Sequence, residues 1–152
     1  MKKFLLTFVI CLAAASAVFA QEHSYNDVNE AQNAIESALD FITQDKVEEG
    51  LAGLIPYFPI QEDVLEQLLL ELNGGHTAAV ETLGNSVGFN FIGIRNLRDV
   101  MVEITYLERF EKSALRWRFY LYKSSKSWTF HSIQMDGDIP SAMTEWGTAL
   151  AG

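Results

Sequence analysis

The chain has 152 residues, with 20 acidic and 11 basic side chains and a net charge of −9 at pH 7. This length corresponds to one ordinary domain, and the acidic balance argues against nucleic acids and anionic membrane surfaces as partners, because both attract positive charge. A single cysteine, Cys11, excludes an intramolecular disulfide framework.

Residues 1–20 have the pattern of a secretory signal peptide. Lys2 and Lys3 precede an apolar segment, and small residues follow it up to Ala20. We predict cleavage after Ala20, export to the periplasm or the extracellular space, and a single mature domain over residues 21–152. No later apolar run approaches the roughly 20 residues needed to cross a bilayer, so we expect no membrane insertion after cleavage.

Two helices are predicted next, from apolar residues that recur every three or four positions. The first runs from Val28 to about Gln44. Its N-cap is one of three polar residues: Ser24, Asn26 or Asp27. The second covers residues 47–55, with Asp45 as its cap and Pro56 as its stop.

A third helix begins at Glu62, whose charge favours the positive end of the helix dipole, and ends at the glycine pair 74–75. Residues 77–83 predict one or two further helical turns, closed by Gly84 in a left-handed conformation. Near the C-terminus, residues 139–150 predict a final short helix.

The apolar and aromatic residues of the segment 100–134 fall on alternate positions, which predicts three antiparallel strands buried on one face. Beyond Ser132 the alternation weakens, which suggests a bulge or a strand covered on both faces. Residues 89–95 predict a fourth strand, with Gly93 as a bulge or a point of close approach. These elements predict an α+β fold: N-terminal helices packed on one face of a curved antiparallel sheet of about four strands, with a C-terminal helix.

The alternation also predicts how two of these strands pair. A two-residue turn at Lys112 and Ser113 places Tyr106 opposite Phe119. A slip of one residue would move the apolar side chains to the polar face, so the pattern itself specifies which face is buried.

An alanine-rich first helix, a short helix with a proline stop, and long aromatic strands resemble the nuclear transport factor 2-like superfamily of cystatin-like α+β cones. The best local matches are residues 31–42, residues 45–56, and the strand pair LRWRFYLYK and SWTFHSIQM. The resemblance covers most of the mature chain and implies a sheet that curves around helices, although the early strand pair of that superfamily is missing. Its members include isomerases, dehydratases and cyclases, and also non-catalytic binding and accessory domains that are often dimeric, so the fold alone does not choose a function.

One candidate site lies on the polar face of the predicted sheet. The expected register places Tyr120 opposite His131, with Arg118 one step along and Glu103 nearby. These side chains could bind an anionic or hydroxylated ligand or transfer protons, because histidine titrates near neutrality and tyrosine donates a hydrogen bond. The alternative is a hydrated or subunit-facing surface, with Arg118 and Glu103 in ordinary cross-strand charge pairs.

A second candidate lies on the apolar face, where the resemblance places an enzyme pocket between sheet and helices. Glu108 and Tyr106 are the few ionisable groups there. A buried Glu108 could act as a base, but the expected position of this residue is the solvated end of the sheet. The aromatic residues of this face either line an apolar ligand pocket or form the core: Trp117, Phe119, Trp128 and Phe130.

No metal site, cofactor site or catalytic residue is predicted. The three histidines lack ligand spacing: His23 lies in the N-terminal leader, His76 follows the glycine pair, and His131 is on a strand. The glycine-containing segments lack the spacing and the endings of phosphate-binding loops.

The sequence therefore predicts an exported, non-catalytic domain that binds a small apolar or anionic ligand or a partner protein, and that forms a homodimer through the sheet. The alternatives are a small pocket enzyme of the isomerase or dehydratase kind, and a structural envelope accessory protein. A cavity with two or more buried ionisable groups within hydrogen-bond reach would favour the enzyme. An apolar cavity would favour the binding domain, and a large exposed patch without a pocket would favour the accessory protein.

Overall fold

The computed structural model describes residues 23–147, in which three helices precede a four-stranded antiparallel sheet and a short helix follows it. The helices are α1 (Val28–Ile42), α2 (Val47–Ala52), α3 (Glu62–Leu83) and α4 (Ile139–Trp146), and a 3-10 helix covers Ile55–Tyr57. The strands are β1 (Ser86–Leu97), β2 (Met101–Phe110), β3 (Ala114–Lys123) and β4 (Trp128–Asp136), in the order β1-β2-β3-β4.

This architecture confirms the α+β fold class. The predicted signal segment, residues 1–20, and the last residues of the predicted C-terminal helix lie outside the described residues. Within residues 23–147, no helix combines the length and the apolar character that crossing a membrane requires.

Local hydrogen bonds and backbone geometry determine where α1 and α2 begin and end. Asp27 caps α1, because its carboxylate accepts a hydrogen bond from the backbone N–H of Glu30 at 2.9 Å. Asp45 does not cap α2 as predicted: Lys46 holds the cap position, and Asp45 has a φ of 62°. α2 also ends earlier than predicted, because Pro56 belongs to the separate 3-10 helix, where a residue without an N–H is tolerated in the first turn.

The largest departure from the prediction is in α3, which continues through Gly74 and Gly75. Each glycine costs roughly 1 kcal/mol relative to alanine in a helix interior, but the helix buries one face on both sides of the pair. The buried residues of that face are Leu72, His76 and Ala79. A Cβ on Gly75 would lie 2.6 Å from Cε of Met135, so this glycine lets α3 approach the sheet closely. The predicted break is wrong, and His76 lies on a helix.

The hairpin between β2 and β3 turns one residue earlier than predicted, since the backbone N–H of Phe110 donates to the carbonyl of Ser113 at 2.8 Å. The register therefore differs by two residues, and Tyr106 pairs with Trp117 instead of Phe119. Because a shift of two residues keeps every side chain on its own face, the predicted apolar face is correct.

A bulge in β4 changes the alternation of that strand. Tyr120 of β3 pairs with Ser132, while the next residue of β3 pairs with Phe130, so His131 is the extra residue. The bulge is one of the two predicted explanations of the weakened pattern, but the predicted pairing of Tyr120 with His131 is wrong. The extra residue also turns Ile133 to the helix-covered face, where it is buried.

The core fills the space between the helices and the inner face of the sheet, which is the face that α1, α2 and α3 cover. The aromatic residues predicted for this face belong to the core: Trp117, Phe119, Trp128 and Phe130. Tyr106 is buried among them and its hydroxyl donates to Oε1 of Glu36 at 2.9 Å. Burial, and then the hydrogen bond to Glu36, raise the pKa of Tyr106 well above its usual value.

The outer face of the sheet is partly covered by α4, from which Ala142 and Trp146 are buried. The sequence predicts either a bulge or a point of close approach at Gly93, and the structure has both there. The register between β1 and β2 shifts between Phe91 and Gly93, and a Cβ on Gly93 would lie 2.5 Å from the ring of Trp146. This glycine therefore lets the indole of Trp146 lie against the backbone of β1.

Candidate functional site

Glu108 lies on the inner face of the sheet, two residues before the end of β2, and none of its side chain is exposed. Its predicted position at the solvated end of the sheet is wrong. The reason is the length of α3, which continues past Gly75 and places His76 over this end of the sheet. The centroid of the His76 ring lies 5.8 Å from that of Phe110 and 6.4 Å from that of Trp117. This end of the sheet is thereby covered.

Both carboxylate oxygens of Glu108 have a partner. Oε2 accepts a hydrogen bond from the indole Nε1–H of Trp117 at 2.9 Å, and Oε1 lies 3.0 Å from Nε2 of His76. A buried carboxylate is strongly disfavoured unless it is paired and hydrogen-bonded. The two contacts explain how the core accommodates Glu108.

His76 is also fully buried, and its two ring nitrogens differ in their surroundings. Nε2 faces Glu108, whereas Nδ1 has no hydrogen-bond partner among the described residues. The nearest carboxylate oxygen to Nδ1 is Oδ1 of Asp45 at 3.5 Å, which is longer than the 2.7–3.2 Å of an ordinary N–H···O hydrogen bond. With Glu108 ionised, both of its oxygens accept. In the neutral imidazole ring of His76, Nε2 then carries the proton and Nδ1 presents a lone pair.

A polar pocket of about 240 Å³ lies beside Nδ1 and is called the Asp45 pocket below. It lies between the end of α1 and the connection from α3 to β1. The residues that line it are Thr43, Gln44, Asp45, His76, Val80, Asn85 and Ser86. Six of these seven residues carry hydrogen-bonding side chains, in contrast to the aromatic core on the other side of His76.

Asp45 forms one wall of this pocket. Its backbone N–H donates to the carbonyl of Ile42 at 2.9 Å, and its positive φ is a conformation that aspartate adopts more readily than most residues. Its side chain is 69% exposed and makes no hydrogen bond among the described residues. A small rotation of this carboxylate would therefore open Nδ1 of His76 to the pocket.

The other candidate site, on the outer face, is divided by the bulge in β4. Arg118 pairs with Thr105 and donates to Asp136 at 2.9 Å, and Tyr120 pairs with Glu103. His131 is exposed in the bulge and does not lie opposite Tyr120.

Electrostatics on the outer face are those of cross-strand charge pairs. Burial alone would raise the pKa of Glu103. Hydrogen bonds from Arg95 at 2.8 Å and Thr105 at 2.9 Å outweigh burial and hold this pKa below its usual value. Burial, and then the neighbouring Glu103, raise the pKa of Tyr120. Arg95 and Arg118 each have a carboxylate partner. This pattern agrees with the alternative of ordinary charge pairs on this face.

No protein family, curated protein or solved structure matches the chain. The resemblance to the nuclear transport factor 2-like superfamily therefore stays a prediction from the sequence.

Proposed function

We propose that the chain is an exported, non-catalytic binding domain that holds a small ligand in the Asp45 pocket, with Nδ1 of His76 as its anchor. The observation that carries this proposal is the unpartnered Nδ1 of a fully buried histidine at the wall of a polar pocket. Buried polar atoms without partners are few in folded proteins, and each calls for an explanation.

Glu108 makes His76 suitable as an anchor. The carboxylate fixes the orientation of the imidazole ring from the core side, and Trp117 in turn fixes the carboxylate. The anchor is therefore organised before any ligand arrives, which lowers the entropy cost of binding.

The pocket favours a ligand that donates hydrogen bonds. Nδ1 of His76 and Oδ1 of Asp45 are two acceptors 3.5 Å apart, and a primary ammonium group, with three N–H donors, can serve both. The net charge of −9 also attracts cations and repels anions. We therefore propose a small amine or amino alcohol for this pocket, in place of the apolar or anionic ligand expected from the sequence.

NMR of protein labelled with ¹⁵N-histidine tests this proposal. Ethanolamine should shift the Nδ1 resonance of His76 until the site is saturated, and acetate should not. His76→Gln keeps an N–H donor toward Glu108 but removes Nδ1, so amide spectra of this variant should show no saturable response to ethanolamine. His131→Gln, at the exposed bulge, is the matched control and should bind as the unaltered chain does. Equal binding by His76→Gln would exclude His76 as the anchor.

A pocket enzyme is the second candidate, favoured by the contact between Glu108 and His76. It ranks second because only His76 of this pair lines the Asp45 pocket, so the pocket does not contain the two buried ionisable groups expected of an enzyme. A carboxylate that orients an imidazole, with the second ring nitrogen facing a pocket, is an arrangement suited to general-base catalysis. Deuterium uptake from D₂O at the carbons next to the carbonyl of hydroxyacetone would measure such proton abstraction. Uptake above the buffer rate that disappears in His76→Gln would favour the enzyme, and uptake at the buffer rate would favour binding alone.

The proposal includes export, with cleavage after Ala20. Mass spectrometry of the exported product should give a chain that begins at Gln21. A product that still begins at Met1 would contradict this part of the proposal.

The proposal also includes a homodimer formed through the sheet. β1 lies at one edge of the described sheet and exposes several large apolar side chains: Val87, Phe91, Ile94 and Leu97. Its only charged residue is Arg95, so two copies of β1 can approach each other with little charge repulsion. Light scattering should give the mass of a dimer for the unaltered chain and of a monomer for Ile94→Lys. A monomeric unaltered chain would exclude the dimer.

A further inference from the structure

A second pocket, of about 180 Å³, lies on the opposite side of the sheet, between α4 and the outer face. Ile92 and Leu107 form its floor on the sheet, and Ala142 and Met143 form its roof on α4. These four side chains are apolar, in contrast to the lining of the Asp45 pocket.

One wall of this α4 pocket is the indole of Trp146. Gly93 allows the ring to lie against β1, and the guanidinium of Arg95 lies over the ring at 4.9 Å from its centroid. Glu145, the preceding residue, binds Arg95 at 3.2 Å and the buried Arg116 at 3.0 Å. These ion pairs hold α4, and with it the roof of the pocket, on the sheet.

Trp146, which lines the α4 pocket, carries a hydrogen-bond donor that is not in use. Trp146 is 8% exposed, and its Nε1–H is buried without a partner among the described residues. The hydroxyl of Thr105, which also lines the pocket, already donates to Oε1 of Glu103 at 2.9 Å. An indole N–H left unpaired in an apolar site is unfavourable, and an acceptor atom placed against it would remove that cost.

We propose that the α4 pocket binds a small neutral compound with one ring and one hydrogen-bond acceptor, which accepts from Nε1–H of Trp146. The volume is close to that of the apolar cavity of about 150 Å³ that is known to take up benzene. A charged compound is disfavoured, because the apolar walls would remove its hydration without replacing it. This site is independent of the Asp45 pocket and takes a ligand of different chemistry.

NMR titration of the full chain with acetophenone tests the proposal, since this ketone has one ring and one acceptor. The indole N–H resonance of Trp146 and the methyl resonances of Met143 should shift until saturation. Ethylbenzene, which lacks the acceptor, should bind several-fold more weakly, and benzoate should not bind. Absence of a saturable acetophenone response would overturn the proposal.

Two variants separate the hydrogen bond from the shape of the pocket. Trp146→Phe keeps an aromatic wall and removes the N–H, so acetophenone and ethylbenzene should then bind equally, as judged from the methyl resonances of Met143. Ala142→Leu fills the pocket and should abolish binding, whereas Ala78→Leu, on an exposed position of α3, should leave it unchanged. Thermal unfolding of each variant shows whether it is folded. A folded Ala142→Leu that binds acetophenone normally would contradict the proposed location.

The chain itself could supply a competing occupant. Nuclear Overhauser contacts between the methyl groups of Leu150 and the methyl group of Ala142 in the ligand-free protein would show that the C-terminal residues fill the pocket, and would overturn the proposal of a free ligand. Their absence, together with saturable acetophenone binding, would support it.

Discussion

Nε2 of His76 on α3 lies 3.0 Å from Oε1 of Glu108 on β2, and neither side chain has any exposed surface. A helix and a strand that are 32 residues apart in sequence thus place two ionisable groups in contact inside the core. The indole of Trp117 supplies a third member of this cluster, and Asp45 separates it from solvent.

Glu108→Gln tests how this cluster is hydrogen-bonded. The amide oxygen of glutamine can accept from Trp117, and its NH₂ group can donate to Nε2 of His76 if the ring proton moves to Nδ1. We expect a loss of less than about 1.5 kcal/mol in the free energy of unfolding, measured by chemical denaturation. The imidazole ¹⁵N spectrum should show the proton on Nδ1, and ethanolamine binding should be lost.

Glu108→Ala is the matched comparison, because it leaves the donors of both Trp117 and His76 without an acceptor. We expect it to lose about 3 kcal/mol or more. If it lost no more than Glu108→Gln, the hydrogen bonds to Glu108 would not contribute to stability.

Asp45→Gly separates stability from ligand binding. Glycine adopts a positive φ without the steric cost that a Cβ brings, although it also increases the entropy of the unfolded chain. We expect a net gain of about 0.5 kcal/mol in unfolding free energy, with weaker ethanolamine binding because the carboxylate is lost.

Asp40→Gly is the control for this change, since Asp40 is exposed within α1. It should lose roughly 0.3 kcal/mol, because glycine costs about 1 kcal/mol relative to alanine in a helix and aspartate itself costs up to about 0.7 kcal/mol. Equal losses in the two variants would show that Asp45 does not adopt the positive φ.

Glu103 predicts a specific dependence of stability on pH. Its pKa is lower in the folded protein than in the unfolded chain, so the carboxylate stabilises the fold above the unfolded pKa of about 4.3, and this contribution disappears as the pH falls through the folded pKa. Glu103→Gln should therefore flatten the acid limb of a plot of unfolding free energy against pH. Glu66→Gln, at an exposed position of α3, should leave the limb unchanged. An identical acid limb in Glu103→Gln and the unaltered chain would contradict the assigned role of Arg95 and Thr105.

The glycine pair in α3 can be tested by substitution. No atom lies within 4 Å of a Cβ built on Gly74, so Gly74→Ala should raise the unfolding free energy by up to about 1 kcal/mol. Gly75→Ala gains the same helix propensity but must displace the end of Met135, so its gain should be smaller. A destabilised Gly74→Ala would indicate that the helix does not continue through this position.

Much of the fold could be predicted from periodicity. The alternation in β2 and β3 specifies which face is buried, and this result does not depend on which residues form the turn between the two strands. Tyr106 and Phe110 are both buried on that face, and Glu108 lies between them in the same alternation. The pattern therefore placed Glu108 correctly on the inner face. Its burial was missed, because the length of α3 decides what covers this end of the sheet.

The sequence does not predict the helical position of His76, because a glycine pair is typical of the end of a helix. A signal was present: Leu72 and Ala79 lie four residues before and three residues after His76, so all three share one face of a continuous helix. The pairing of Tyr120 with His131 failed for a different reason. The weakened alternation beyond Ser132 indicates a bulge but does not show which residue is the extra one, and in the structure that residue is His131 itself.

Whether Nδ1 of His76 is an open acceptor can be measured from the imidazole ¹⁵N resonances at neutral pH, with and without ethanolamine. The proposed site requires a protonated Nε2 and an unprotonated Nδ1 in the free protein, and a saturable shift of Nδ1 when ethanolamine is added. A proton on Nδ1 in the free protein, or an Nδ1 resonance that does not respond to ethanolamine, would contradict it.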